Sequence, residues 1–406
     1  VSKPVVTSSN VAQVTYAVRD VVLWAREAAA AGRELISLNI GDPCLFDFRT
    51  PDHVTEAIVA ALRENRTSYT ASEGTPEALD AIRRDAEQRK GIRSIRSILI
   101  GHGASEPIEI LLTALLNPGE GVLVPQPGYP LYQAVLAKLG ARAIPYNLDE
   151  QNGWQPSVSE IAERAAASGV RALVLINPNN PTGSLTSKGT LEAILEIAAR
   201  HQLVVLSDEI YDRMLLDPGL EHVATASLRD DLVIATFAGL SKVWLGPGLR
   251  LGWSIVSGPA AAAQPLIDAM GQLARARLCA SHPVQCAVKA ALDGPTDHIR
   301  ETCLKLRRRR DLTVQRLAAI PGVSLVPPQG AFYAFPRIDF GISDVEFVRG
   351  LIAQTGVVLV HGTGFGQVAG TQHVRIVFLP TEAQLEKAYD AFASYCSGIS
   401  SKRSSA

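Results

Sequence analysis

The sequence predicts an α/β protein in which a large domain with a mostly parallel central sheet, covered by helices, is joined by a smaller α+β domain drawn from both chain ends. Three observations carry that expectation. From about residue 50 to about 285, short apolar runs rich in β-branched residues alternate with helix-period stretches, as strands and crossover helices do around a parallel sheet. After about residue 290 the alternation gives way to a long basic helix, short strands and a final helix. The segment before residue 50 is too short to bury a core of its own, so it is expected to pack against the C-terminal unit. The implied division is 1–48 (N-terminal arm and part of the small domain), 49–289 (large domain) and 290–406 (remainder of the small domain).

In chain order, the clearest strands are 122–124, 172–176, 203–207, 232–236 and 251–255. The stretches 106–116, 157–166 and 191–200 carry apolar residues three and four apart, one face of a helix. Asn117-Pro118-Gly119, Gln126-Pro127-Gly128 and Asn179-Asn180-Pro181 punctuate the junctions as turns. Beyond them the pattern gives a helix over 298–319, strands near 323–326 and 332–335, and a helix over 382–395. The Ser/Lys/Arg tail from Ser397 is expected to fray.

With 47% hydrophobic and 19% charged residues, the 406-residue chain can bury a sizeable core and does not read as disordered. Thirty-nine basic against forty acidic side chains leave a net charge of -1. The four arginines 307–310 form the longest like-charged run and are expected on a solvated helix face, so no nucleic-acid footprint is expected. No stretch approaches the ~18 apolar residues of a membrane span, and the first twenty residues lack the apolar core of a signal peptide. Five cysteines, an odd number without a CxxC pair, fit a reducing compartment. The expectation is a cytoplasmic protein acting on small molecules, without a metal, nucleic-acid or membrane partner.

Gly101-His102-Gly103-Ala104-Ser105-Glu106 carries only half of a dinucleotide fingerprint, and Gly362-Thr363-Gly364-Phe365-Gly366 follows no first strand, so a nicotinamide enzyme is disfavoured. The first of these still precedes a helix, whose backbone N–H groups and dipole suit a phosphate monoester; a plain turn is the alternative. Asn177-Pro178-Asn179-Asn180-Pro181-Thr182-Gly183 follows a strand and is stiffened by two prolines. Asp208 ends the next strand, where a carboxylate needs a positive partner unless it caps a helix. Gly239-Leu240-Ser241-Lys242 follows a further strand, and Arg250 precedes another. Together these residues supply an anionic ring partner, an aldehyde-bonding amine, a donor to a ring oxygen and a phosphate cup, the groups that pyridoxal 5'-phosphate requires.

On those residues the chain resembles the pyridoxal-phosphate-dependent aminotransferases of class I/II and fold type I, and within them the alanine aminotransferases. The likeness runs from Tyr16-Ala17-Val18-Arg19-Asp20 through Leu38-Asn39-Ile40-Gly41-Asp42-Pro43 to His361-Gly362-Thr363-Gly364-Phe365-Gly366. It implies Lys242 as the lysine that binds the cofactor and shuttles the substrate α-proton, and Asp208 as the partner of the ring nitrogen. It implies Tyr211 and Asn180 as donors to the phenolic oxygen, with Asn180 also beside the substrate, and Tyr129 as the ring stacked on the cofactor. Gly103, Ala104, Ser105, Ser241 and Arg250 would cradle the phosphate. Gly239 stands where many members carry serine or threonine, which removes one hydroxyl contact.

The resemblance further implies Arg375 as the clamp on the substrate α-carboxylate, with the Gly41 N–H as a second contact. Tyr69 matches a tyrosine that reaches the neighbouring subunit's phosphate, which implies a homodimer with shared active sites. Arg277 lines up with a partner-subunit arginine that recognises a side-chain carboxylate, a surface ion pair being the alternative. Tyr16 and Arg19 match a pair beside the substrate, a packed helix face being theirs. The implied reaction is ping-pong transfer of the amino group from L-alanine to 2-oxoglutarate, giving pyruvate and L-glutamate. An aspartate or broader donor specificity, or a lyase or cyclase on the same scaffold, is the alternative. A DNA-binding regulator built on such a domain is disfavoured, because no basic recognition helix precedes Gly41.

Overall fold

The computed structural model describes residues 3–14 and 18–404. An eight-stranded sheet organises the larger part of the chain. Its strands are β1 (Ile95–His102), β2 (Gly121–Gln126), β3 (Arg142–Asp149), β4 (Gln155–Pro156), β5 (Val170–Ile176), β6 (Val204–Asp208), β7 (Ile234–Gly239) and β8 (Leu251–Ser257), in the spatial order β1-β8-β7-β6-β5-β2-β3-β4. β8 and β4 run antiparallel to their neighbours, and the other pairs are parallel.

Side chains alternate across each strand and feed two apolar layers. From β5, Ala172, Val174 and Ile176 join Ile108, Leu112 and Leu136 on one face, while Leu173 and Leu175 join Leu191, Ile194 and Leu195 on the other. Because both faces are covered, β5 reads in the sequence as an unbroken apolar run. Its crossover helix, Lys188–Arg200, starts where the Ser187 hydroxyl accepts the Thr190 N–H, satisfying a donor with no partner inside the helix.

β1, β3 and β4 are absent from the strands expected of the sequence, and β7 is longer than expected. β7 runs to Gly239 rather than stopping at 236, because Ala238 and Gly239, which read as loop residues, pair with Trp253 and Gly252 of β8. A Cβ on Gly239 would lie 2.8 Å from the Gly252 Cα, so this crossing admits no side chain. β3 has no clear signature, since its exposed Arg142, Ala143 and Pro145 interrupt the apolar pattern.

The smaller unit is assembled from both ends of the chain. Ile36–Ser37 pairs in parallel with Val357–Val358, and the Val377 N–H donates to the Leu38 carbonyl at 2.8 Å. A three-stranded antiparallel sheet follows, with β9 (Tyr333–Ala334), β10 (Val360–His361) and β11 (Val374–Val377) in the order β9-β11-β10. Around it lie the helices Asp297–Ala318, Asp344–Thr355 and Glu382–Ser404. Ser343 and Glu346 form a reciprocal capping box at the start of the second, and Gly356, at φ +76, ends it in the left-handed region.

The last helix continues past 395 to Ser404 instead of fraying from Ser397. The Ser397 and Ser400 hydroxyls donate to the carbonyls of Ala393 and Cys396, so these polar residues are accommodated within helical geometry. The arginine run also departs from expectation. Arg309 and Arg310 are buried rather than solvated: Arg309 pairs with Asp47 at 2.7 Å and donates to the Leu379 carbonyl at 2.5 Å, and Arg310 pairs with Asp217 at 2.5 Å. Among the described residues no helix is long and apolar enough to cross a membrane, no cluster of metal ligands occurs, and all five cysteines are free thiols.

Candidate active site

The C-terminal ends of the parallel strands open into a cavity of about 260 Å³, the place where open α/β sheets bind ligands. β6 delivers Asp208 as its last residue and Tyr211 just beyond it. The loop after β5 delivers Asn180, the turn after β7 delivers Ser241 and Lys242, and Arg250 enters immediately before β8. Tyr129 stands at the N-terminal boundary of the helix Pro130–Leu139, and Ala104 and Ser105 open the helix Ser105–Leu115. From the smaller unit, Arg375 on β11 and Gly41 on the N-terminal segment line the same cavity.

Gly103 lies just behind this lining, at φ +69, where a Cβ would fall 2.7 Å from Nη2 of Arg250. Tyr69 is 80% exposed and does not line the cavity of its own chain. Arg277 stands outside it as well, with its guanidinium 3.3 Å from Glu106 and donating to the Ile100 carbonyl at 2.5 Å. Tyr16 lies outside the described residues. Arg19 falls in the helix Val18–Ala30, and its side chain lies outside them.

Burial sets the electrostatics. Asp208 is 5% exposed, and that desolvation pushes its carboxyl up to about 6, against the pull of hydrogen bonds from the Tyr132 hydroxyl and the Ile210 N–H. Lys242 donates to the Gly41 carbonyl at 2.8 Å. Desolvation brings its ammonium down to about 8; Asp42 opposes the change, while Arg375 and Arg250 reinforce it. Arg375, 5% exposed, donates to the Asn39 carbonyl at 2.6 Å and to Asn180 Oδ1 at 3.4 Å. Its Cζ sits 4.9 Å from the Tyr333 ring centroid and 4.6 Å from that of Phe365, which fix the plane of the guanidinium by cation–π contact.

The segment after β6 has two faces. Asp208 and Tyr211 line the cavity, while Glu209 and Asp212 turn away into a buried charge cluster. There the Lys90 ammonium lies 2.7 Å from Glu209 and 2.7 Å from Asp212, and Arg89 bridges Asp212 at 2.9 Å and Asp85 at 2.8 Å. Burial alone would lower the Lys90 ammonium, but Asp212 and Glu209 hold it above its usual range. This cluster anchors the segment from behind, and breaking one partner of a buried pair costs about 3–5 kcal/mol.

Three functional neighbours escape the sequence reading. Tyr132, 1% exposed, donates to Asp208 at 3.1 Å; it stands three residues after Tyr129, a spacing that puts both near one helix face. Tyr333, 3% exposed, places its hydroxyl 2.9 Å from that of Tyr211. Phe332 lies beneath Lys242, whose Nζ is 5.6 Å from the ring centroid. Nothing local in the sequence signals the last two.

The residues fit pyridoxal 5'-phosphate. Asp208 is a buried carboxylate that forms no ion pair among the described residues, and a protonated ring nitrogen supplies the missing positive partner. The first turn of the helix Ser105–Leu115, the Ser241 hydroxyl and the Arg250 fork make an anion-binding donor set. Gly239 is also explained, since a serine or threonine there would collide with β8.

Comparison with known proteins gives a consistent picture. The family model described as Aminotransferase class I and II matches residues 33–392. The chain is 41% identical over 377 residues to a glutamate-pyruvate aminotransferase AlaA of Haemophilus influenzae, covering 90% of this chain and 91% of that one. It is 36% identical to an alanine aminotransferase of Mycobacterium tuberculosis over 96% of this chain and 92% of that one. The solved structure of an alanine aminotransferase from Pyrococcus furiosus superposes with a TM-score of 0.93 at 40% identity, covering 97% of this chain and all of that one.

Proposed function

The chain belongs to the class I and II aminotransferases, and from that premise we propose that it transfers the amino group of L-alanine to 2-oxoglutarate, with pyridoxal 5'-phosphate as cofactor. One observation carries the reading: a buried acid and a cavity-facing lysine on the large sheet share a cavity with Arg375 of the smaller unit. The relatives named above act as alanine or glutamate-pyruvate aminotransferases, which supports the choice of donor and acceptor. The cofactor supplies an aldehyde that carries the amino group and a protonated ring that accepts electrons from the substrate α-carbon.

The chain's own residues then have defined tasks. Asp208 keeps the ring nitrogen protonated, since a carboxylate in contact favours the cationic form. Asn180 and Tyr211 donate to the phenolic oxygen, and Tyr129 packs on the ring. Gly103, Ala104, Ser105, Ser241 and Arg250 hold the phosphate. Arg375 and the Gly41 N–H orient the amino acid by its α-carboxylate, so that its α-hydrogen faces Lys242.

A lysine whose ammonium has come down to about 8 has roughly a tenth of its population neutral at about pH 7, enough to act as general base at the α-carbon. Residues 49–289 carry the cofactor, and residues 1–48 with 290–406 close over the substrate. A homodimer in which Tyr69 completes the partner's phosphate cup belongs to the same reading, as do Tyr16 and Arg19 beside the substrate. Five free thiols favour a cytoplasmic setting.

The test is the visible absorbance of the cofactor-loaded protein with single amino acids and no oxo acid. L-Alanine and L-glutamate should each bleach the band, and pyruvate or 2-oxoglutarate should restore it. A band untouched by L-alanine but bleached by L-aspartate or L-arginine would overturn the donor assignment.

A further inference from the structure

We propose that Tyr333 is a positioning residue that acts through Tyr211, so that the smaller unit tunes the donor aimed at the cofactor's phenolic oxygen. The inference rests on the proposed role of Tyr211. Tyr333 belongs to β9, which pairs with β11, the strand that carries Arg375. Its hydroxyl lies 2.9 Å from the Tyr211 hydroxyl, which comes from the segment after β6, a central strand of the large sheet. Both phenols are 3% exposed, and their rings meet edge to face at 5.8 Å.

The donor count fixes the direction of the bond. A phenol has one O–H to give and can accept others. The phenolic oxygen of the cofactor is an acceptor, so Tyr211 spends its proton there and Tyr333 must donate to Tyr211. A phenol that accepts one hydrogen bond becomes a stronger donor in the next, by about 10–30% per bond. Tyr333 is therefore the outer member of a two-hydroxyl chain.

The fold holds Tyr333 in place. A Cβ on Gly41 would collide with the Tyr333 hydroxyl, so the absence of a side chain at Gly41 makes room for this phenol. Arg375 stacks over the Tyr333 ring at 4.9 Å, and Phe332 packs edge to face on Tyr211 at 5.5 Å. The charged and titratable groups around the pair are Asp208 and Tyr129 toward Tyr211, Arg375 over Tyr333, and Lys242 across Phe332. A single phenol thus meets the proposed donor to the cofactor, lies under the Arg375 guanidinium and occupies the space that a side chain at Gly41 would need.

The experiment is a pH titration of the visible band of the cofactor-loaded protein, without substrate, in the wild type, Tyr333→Phe, Tyr211→Phe and the double variant. A donor to the ring oxygen favours its unprotonated form, so weakening it raises the midpoint. Tyr333→Phe is expected to raise proton affinity about twofold, a shift of roughly 0.3 pH unit, and Tyr211→Phe roughly tenfold. In the Tyr211→Phe background, Tyr333→Phe should add nothing. An unchanged midpoint in Tyr333→Phe overturns the proposal, as does the same shift in both backgrounds, which would mean that Tyr333 acts independently of Tyr211. If Tyr211→Phe itself leaves the midpoint in place, the reading of Tyr211 fails and the chain fails with it.

Discussion

Asp208→Asn should make the cofactor-free protein more stable while removing its activity, and the size of the gain follows from burial. The folded carboxyl sits at about 6 against an ordinary 3.8. Between those values the folded protein holds a proton that the unfolded chain has released. The term therefore favours folding at low pH and is lost as pH rises through about 6. By about pH 8 the charged, buried carboxylate costs the fold about 3 kcal/mol, and at about pH 5 about half as much.

Asparagine carries no charge, and its amide still bonds both neighbours. The Ile210 N–H still finds an oxygen, and the Tyr132 hydroxyl can accept where it had donated. Urea unfolding of cofactor-free protein should give a variant about 2–3 kcal/mol more stable than wild type at about pH 8, with an advantage that shrinks toward about pH 5. The same variant should show no half-reaction with L-alanine. A variant no more stable at about pH 8, or an advantage independent of pH, would refute the account of Asp208 as a desolvated charge awaiting a cation.

Three further outcomes follow from neighbouring contacts. Tyr132→Phe removes a hydrogen bond to a charged group, worth about 1.5–3 kcal/mol, and should weaken cofactor binding at least tenfold in fluorescence titrations of the cofactor-free protein; unchanged affinity would contradict it. Arg375→Lys keeps the charge but loses the planar fork, so KM for L-alanine should rise about 100-fold with the visible band intact. A KM within threefold of wild type would count against the clamp. Arg277→Ala should raise KM for 2-oxoglutarate far more than for L-alanine if it reads a side-chain carboxylate, whereas equal effects would leave it as the intrachain partner of Glu106.

The residues legible in the sequence share a local signature. Asp208 ends an apolar strand and Lys242 and Asn180 follow one, each beside glycine, proline or serine punctuation, so one short window identifies both the element and the end that faces the cavity. Tyr333 and Lys90 have no such window. Their partners Tyr211 and Glu209 stand 122 and 119 residues away, and only the tertiary fold brings them together. The arginine run shows the converse failure. Charge density predicts solvation, yet Asp47 and Asp217, both distant in sequence, draw Arg309 and Arg310 into the interior. The end of β7 is hidden for another reason: Ala238 and Gly239 are small and resemble loop residues, and only their pairing with Trp253 and Gly252 of the next strand, β8, shows that the close crossing requires them.

The hydrogen bond from Arg375 to the carbonyl of Asn39 spans 336 positions of chain, and this has a consequence for biosynthesis. All eight strands of the large sheet are complete by Ser257, well before β11 is synthesised. A chain emerging from the ribosome therefore holds every residue proposed for the cofactor's ring and phosphate within its own subunit while it still lacks the arginine proposed to orient an amino acid. Non-local pairings of this span form late, because closing so long a loop must precede any reward from the contact. Residues 36–38 must wait for their partners at 357, 358 and 377, so on the proposed roles the cofactor cradle and the substrate clamp are completed at different moments in the life of each molecule.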